Sequence, residues 1–195
     1  MRRVFLLSPA HCGGKRAQLV MRDGAAFELA VRLRTEGASL AEVFSFLSGL
    51  YFRGKVAYSR AFAAPGDARV IVAGRGLVPL DETITMSDLR AMAEVPIDLE
   101  EPRYREPMER AARELDGEVG PAREVVLLGS VATLKYVQPL LEVFGERLVF
   151  PEEFVGRGDM SRGGLMLRCA RAGTELAYRP VAGAELRGRR PPKLA

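Results

Sequence analysis

The chain has 195 residues, a net charge of +4 and a pI of about 9.3, and close to half of its residues are hydrophobic. That apolar content supplies a core without disulfide staples, and a charged fraction of 28% excludes wholesale disorder. The charge excess is far short of a histone-like value; it is compatible with nucleotides, nucleic acid or phosphorylated metabolites and demands none of them.

Further classes fall away on single residue types. Cys12 and Cys169 lie far apart without metal-ligand spacing, and with His11 as the one histidine no His-rich metal site can form. No metal and no cofactor is expected. No apolar run reaches the length of about 18 residues that a membrane span needs, so a cytoplasmic protein without membrane partners is expected. Residues 1–195 are expected to form one α/β domain with a basic, proline-rich tail from about residue 187. Oligomeric state is not legible.

The N-terminus is basic and then apolar, but its apolar run, Val4–Leu7, is shorter than a signal peptide requires; Val4–Ser8 reads as a first buried strand ended by Pro9. A loop over Ala10–Arg16 leads into helix from about Ala17. Ala25–Glu36 has helical spacing and stops at Gly37. Ser39 and Glu42 form a capping-box pattern for a helix through Leu47, and Gly54–Ala63 reads as another helix or an irregular one. Arg69–Ala73 is a second buried strand, followed by a loop over Gly74–Pro79. Ser87 is placed to cap a helix over Asp88–Glu94. Arg105–Leu115 is a charged amphipathic helix. Glu124–Leu128 is a third strand, a helix carrying Pro139 covers Val131–Phe144, and Arg147–Phe150 is a fourth strand. After a glycine-rich loop, Leu165–Ala170 and Glu175–Val181 read as an antiparallel hairpin. Strands alternating with helices predict an α/β, three-layer α/β/α sandwich with a mostly parallel central sheet and a C-terminal β-hairpin.

Four loops carry residues suited to chemistry. In Ser8–Arg16, after the first strand, Gly13 and Gly14 permit close backbone approach and Lys15 and Arg16 add charge; Walker A spacing is absent, since Pro9 stands where the first glycine belongs. His11 suits hydrogen bonding or acid–base work, and Cys12 would need a lowered pKa to act as a nucleophile. In Leu47–Lys55, Tyr51 and Phe52 beside Arg53 and Lys55 either stack a base and hold a phosphate or form a buried helix corner. In Gly74–Glu82, Asp81 and Glu82 are candidate acid–base groups or are merely solvated. In Gly156–Gly164, Arg157, Asp159, Ser161 and Arg162 among four glycines suit the wrapping of an anion.

The start Ser8-Pro9-Ala10, the segment Leu47–Tyr58 and the strand followed by Gly74–Ile84 resemble the bacterial YaaA-like peroxide-stress family and related small α/β proteins over roughly the first 85 residues. The family's Ser-Pro-Ala-Lys reads Ser-Pro-Ala-His here, so no lysine role carries over to His11. Glu124–Ala132 resembles the central strand–Gly–helix of the uracil-DNA glycosylase superfamily, which includes the archaeosine synthase core; this implies a three-layer scaffold used near nucleobases. The glycosylases' water-activating acid motif and His-Pro-Ser loop are missing, so uracil excision is not implied.

The leading expectation is a protein that recognises a nucleotide or nucleic acid across the strand carboxyl ends. Ser8, Gly13, Gly14, Lys15, Arg16, Tyr51, Arg53, Arg157, Ser161 and Arg162 would bind the ligand, with His11, Asp81 and Asp159 as acid–base groups. A nucleobase glycosidic bond is the first reaction to consider, since an oxocarbenium-like transition state gains from nearby carboxylates. The alternatives are an enzyme acting on a small phosphorylated metabolite and a non-catalytic interaction protein.

Overall fold

The structure, a computed structural model, describes residues 3–184. Apolar runs build its main sheet. Strands β1 (Val4–Leu7), β6 (Val125–Leu128) and β7 (Leu148–Pro151) are buried at every position, and β3 (Ala68–Val72) at its last three. Burial of both faces is what a parallel sheet covered by helices requires. With edge strands β4 (Gly76–Pro79) and β8 (Tyr178–Pro180), the order is β4-β3-β1-β6-β7-β8. β1 is parallel to both β3 and β6, and β6 to β7; β4 and β8 are antiparallel to their neighbours.

This order sets the site. The chain winds from β1 outward to β3 and β4, then crosses back to place β6 on the other side of β1. Connections leaving β1 and β6 therefore diverge at their carboxyl ends. Such a topological switch point is where open α/β sheets form a ligand crevice.

Helices α1 (Lys15–Met21), α2 (Glu28–Thr35), α3 (Leu40–Ser48) and α4 (Leu50–Phe62) fill the first crossover, with β2 (Ala38–Ser39) paired antiparallel to β5 (Thr83–Ile84) in a small second sheet. Helices α5 (Met86–Ala93) and α6 (Pro102–Val119) precede β6; α7 (Leu134–Phe144) follows it, and α8 (Asp159–Ala172) joins β7 to β8. The expected Ser39 cap is present, accepting from the Glu42 amide at 3.3 Å. At α5 the cap is Thr85 rather than Ser87. Thr85 accepts from the Asp88 amide while Asp88 accepts from the Thr85 amide, because only Thr85 stands three residues before an acid.

Three segments differ from the sequence expectation, the first being the glycine-rich loop expected over Gly156–Gly164, which is helix α8 from Asp159 onward. Gly74–Pro79 is not a loop throughout: Gly76–Pro79 is β4, turned back on β3 through glycines with φ of +76° at Gly74 and +77° at Gly76. Leu165–Ala170 is not a strand but the body of α8. The C-terminal antiparallel pair exists, with β7 and not Leu165–Ala170 as the partner of β8.

The glycines of α8 explain both its position and its misreading. A Cβ on Gly163 would stand 2.7 Å from the Leu50 carbonyl oxygen, and one on Gly54 would stand 2.6 Å from the Gly163 oxygen. α4 and α8 therefore cross backbone to backbone, which only glycine permits at that spacing. The basic tail from about residue 187 lies outside the described residues. Among the described residues no helix is long and apolar enough to cross a membrane.

Candidate functional site

Ser8 follows β1 directly and is buried; its amide donates to the Leu128 carbonyl at 3.2 Å, tying it to the end of β6. Lys55 reaches the same point from the middle of α4 and is only 1% exposed. Its Nζ donates to the Ser8 carbonyl at 3.1 Å and lies 2.6 Å from Ser8 Oγ. Tyr51, one helical turn earlier and so on the same face, sets its ring 4.0 Å from Nζ, and the Phe52 ring lies 5.3 Å away.

The loop after β6 closes the crevice. A Cβ on Gly129 would fall 2.8 Å from Ser8 Cβ and 3.2 Å from the Tyr136 hydroxyl. Tyr136, in the first turn of α7, accepts from the Ser130 amide and donates to the Ser130 carbonyl, both at 3.0 Å. The first turn of α8 supplies Arg162 and Asp159, paired at 3.6 Å, and Arg162 also donates to the Phe154 carbonyl at 3.1 and 3.2 Å.

Burial dominates the electrostatics. Desolvation pulls the Lys55 amine down to about 7, with Asp159 opposing the shift and Arg162 adding to it. At neutral pH the amine is thus neutral in a large fraction of molecules. Burial also raises the Tyr51 hydroxyl, against the favourable charge of Arg162. Arg162 acts on that hydroxyl through its charge and as a weak side-chain donor, but no group among the described residues meets it at full hydrogen-bond geometry. A half-neutral lysine in contact with a serine hydroxyl is the arrangement by which an amine base activates a nucleophile.

The crevice gathers four of the expected residues: Ser8, Tyr51, Asp159 and Arg162. The others take different positions. His11, exposed, packs its ring against Gly13 and Gly14, where added Cβ atoms would stand 3.5 and 3.0 Å from it. His11, Cys12 and Gly13 line a neighbouring cavity of about 330 Å³ with Met92, Asp98 and Lys135. Burial pushes the Cys12 thiol up to about 12, so it is protonated at neutral pH. Lys15 and Arg16 are exposed on α1, a helix of 7 residues, and Arg16 donates to the Phe46 carbonyl at 3.0 Å. Arg53 is exposed on α4, two residues after Tyr51 and so turned from its face. Arg157 donates to the Glu153 carbonyl at 2.9 Å and to Ser161 Oγ at 3.3 Å, fastening the turn before α8. Asp81 pairs with Arg60 at the opposite edge of the sheet, where the Leu80 amide meets the Ala68 carbonyl at the start of β3.

Tyr136 carries no signal in the sequence; Gly129 and Ser130 fall within the strand–Gly–helix resemblance of Glu124–Ala132, and of the two expectations for the segment holding Lys55, a phosphate contact or a buried helix corner, the structure shows the lysine buried. The Tyr51–Lys55 spacing was the available signal. Replacing Gly129 by Ala is expected to displace the Ser8 side chain. Overpacking of this kind should lower stability by about 1–3 kcal/mol while secondary structure by circular dichroism is retained; an unchanged Tm would show that the packing around Ser8 is looser than described.

Comparison with known proteins returns no matching family model, no similar curated protein and no similar solved structure.

Proposed function

We propose that this protein is an enzyme of acyl transfer or hydrolysis in which Ser8 is the nucleophile and Lys55 its general base. The observation that carries this reading is the buried 2.6 Å contact between Lys55 Nζ and Ser8 Oγ at the switch point, where β1 and β6 end. Neutral Lys55 takes the hydroxyl proton as Ser8 Oγ bonds to the substrate carbonyl carbon. The tetrahedral intermediate collapses, and the Lys55 ammonium returns the proton to the departing alcohol or amine. Water, deprotonated by Lys55, then cleaves the Ser8 ester and restores the enzyme. A two-carboxylate glycosidic mechanism has less support, because Asp81 stands at the far edge of the sheet from Asp159.

A fluorophosphonate ester tests the pair, since Ser8 Oγ would displace fluoride at phosphorus. One adduct on Ser8 is expected, formed at a rate that rises with pH through a midpoint near the Lys55 value of about 7. No adduct, or an adduct elsewhere that persists in Ser8→Ala, rejects the reading.

A second reading, recognition of a nucleotide or nucleic acid, is favoured by the cavity beside the crevice. Its 330 Å³ matches a nucleoside in scale, and His11 and Lys135 lie on its wall. Retention of single- or double-stranded nucleic acid at low salt should then fall steeply as salt is added. Absence of retention would discard the polymer version and leave mononucleotides to be tested by thermal shift.

A further inference from the structure

The Tyr51 hydroxyl is a second chemical feature of the crevice, separate from the reacting pair. Tyr51 is 7% exposed, and its hydroxyl has no hydrogen-bond partner among the described residues. A buried hydroxyl left unsatisfied is destabilising, and a phenylalanine would fill the same space without that penalty. The groups around it favour negative charge. Arg162, with a side chain 13% exposed, is held by the Phe154 carbonyl in the first turn of α8, where helix amides also point outward. Asp159 is the opposing charge, but its side chain is 68% exposed and its contact with Arg162 is long, at 3.6 Å.

We propose that the Tyr51 hydroxyl and the Arg162 guanidinium form an anion pocket that holds a carboxylate or phosphate group of the substrate beside Ser8. This rests on the acyl-transfer reading and gives it a substrate class: a small molecule carrying an oxyanion group next to the carbonyl that Ser8 attacks. The hydroxyl donates to the anion, Arg162 supplies the charge, and the orphaned hydroxyl gains its partner when the ligand binds.

Tyr51→Phe separates this role from packing. Thermal shift is measured with inorganic phosphate and with acetate, each against chloride at matched ionic strength. The wild-type chain should show a saturable rise in Tm with at least one of the two anions, and which one identifies the group as phosphate or carboxylate. Tyr51→Phe should melt no lower than wild type without ligand, yet bind the anion about 10- to 100-fold more weakly. An equal anion response in wild type and Tyr51→Phe overturns the pocket, as does no response in wild type. Ser8 labelling by the fluorophosphonate distinguishes the two readings. Labelling without an anion response removes the pocket and leaves the Ser8–Lys55 pair; an anion response sensitive to Tyr51→Phe without labelling removes the pair and leaves the pocket.

Discussion

Replacing Lys55 by Met should slow acylation of Ser8 by about 10²–10⁴-fold, the usual contribution of a general base, while leaving the protein more stable at neutral pH. The two effects run in opposite directions because the same burial produces both. Lys55 is 1% exposed, and desolvation lowers its amine to about 7 from an ordinary value near 10.4. The sign follows from proton counting. Between those two values the unfolded chain holds a proton that the native chain has released, so native stability rises with pH across that window. Below about pH 7 both states are protonated and the penalty of a buried ammonium is present in full. Relative to wild type, Lys55→Met should therefore be most favoured below pH 7, and its advantage should shrink by about 3–5 kcal/mol toward pH 10. Loss of the contacts to Ser8 subtracts a pH-independent amount of about 1–3 kcal/mol. Urea unfolding of both proteins from pH 6 to pH 10 checks the slope. Parallel stability profiles would show that Lys55 keeps an ordinary pKa.

A methyl group at the α4–α8 crossing has the largest structural effect expected. Gly163→Ala places a Cβ 2.7 Å from the Leu50 oxygen and 2.8 Å from Tyr51 Cα, and both neighbours are backbone. Neither can rotate away, so the helices must separate. Overpacking of this kind costs about 1–3 kcal/mol. Separation also withdraws α8 with Arg162 from the helix that carries Tyr51 and Lys55. Anion binding and Ser8 labelling should therefore fall together with Tm. Gly164→Ala is the control, because nothing lies within 4 Å of a Cβ there, and helix propensity alone should raise stability by up to about 1 kcal/mol. Equal Tm values for Gly163→Ala and wild type would contradict the close crossing.

The strands that define the sheet were legible because they are short apolar runs bounded by turn residues. Val4–Leu7, Val125–Leu128 and Leu148–Pro151 lie within a residue or so of where the pattern put them. The alternation with helices gave the parallel core and hence the edge that carries the crevice. α8 was illegible for a definite reason. Gly163 and Gly164 lower intrinsic helix propensity, while the contact that demands Gly163 comes from α4, over a hundred residues earlier, and leaves no local trace. Leu165 and Met166 are buried side by side in α8, and in isolation they read as a strand.

The site was legible in its outer members and hidden at its centre. Glycine and arginine density marks Gly156–Gly164, and Arg162 and Asp159 from it act on Tyr51 and Lys55, whereas Arg157 and Ser161 fasten the local turn. Lys55 ran against the strongest general expectation in the chain, that lysines lie in solvent. Only the fold, which sets α4 over the end of β1, shows that this amine sits on Ser8. Tyr136 and Gly129 join through contacts with Ser8 and Ser130 that the β1–β6 pairing creates.

The proposed chemistry turns on a neutral Lys55 amine, and lysine side-chain NMR reads its protonation directly. With ¹³C at Cε in the four lysines of the chain, one resonance, absent in Lys55→Met, should titrate with a midpoint near 7. A Lys55 resonance that stays in its protonated position up to about pH 10, as an ordinary lysine does, would rule Lys55 out as the base for Ser8.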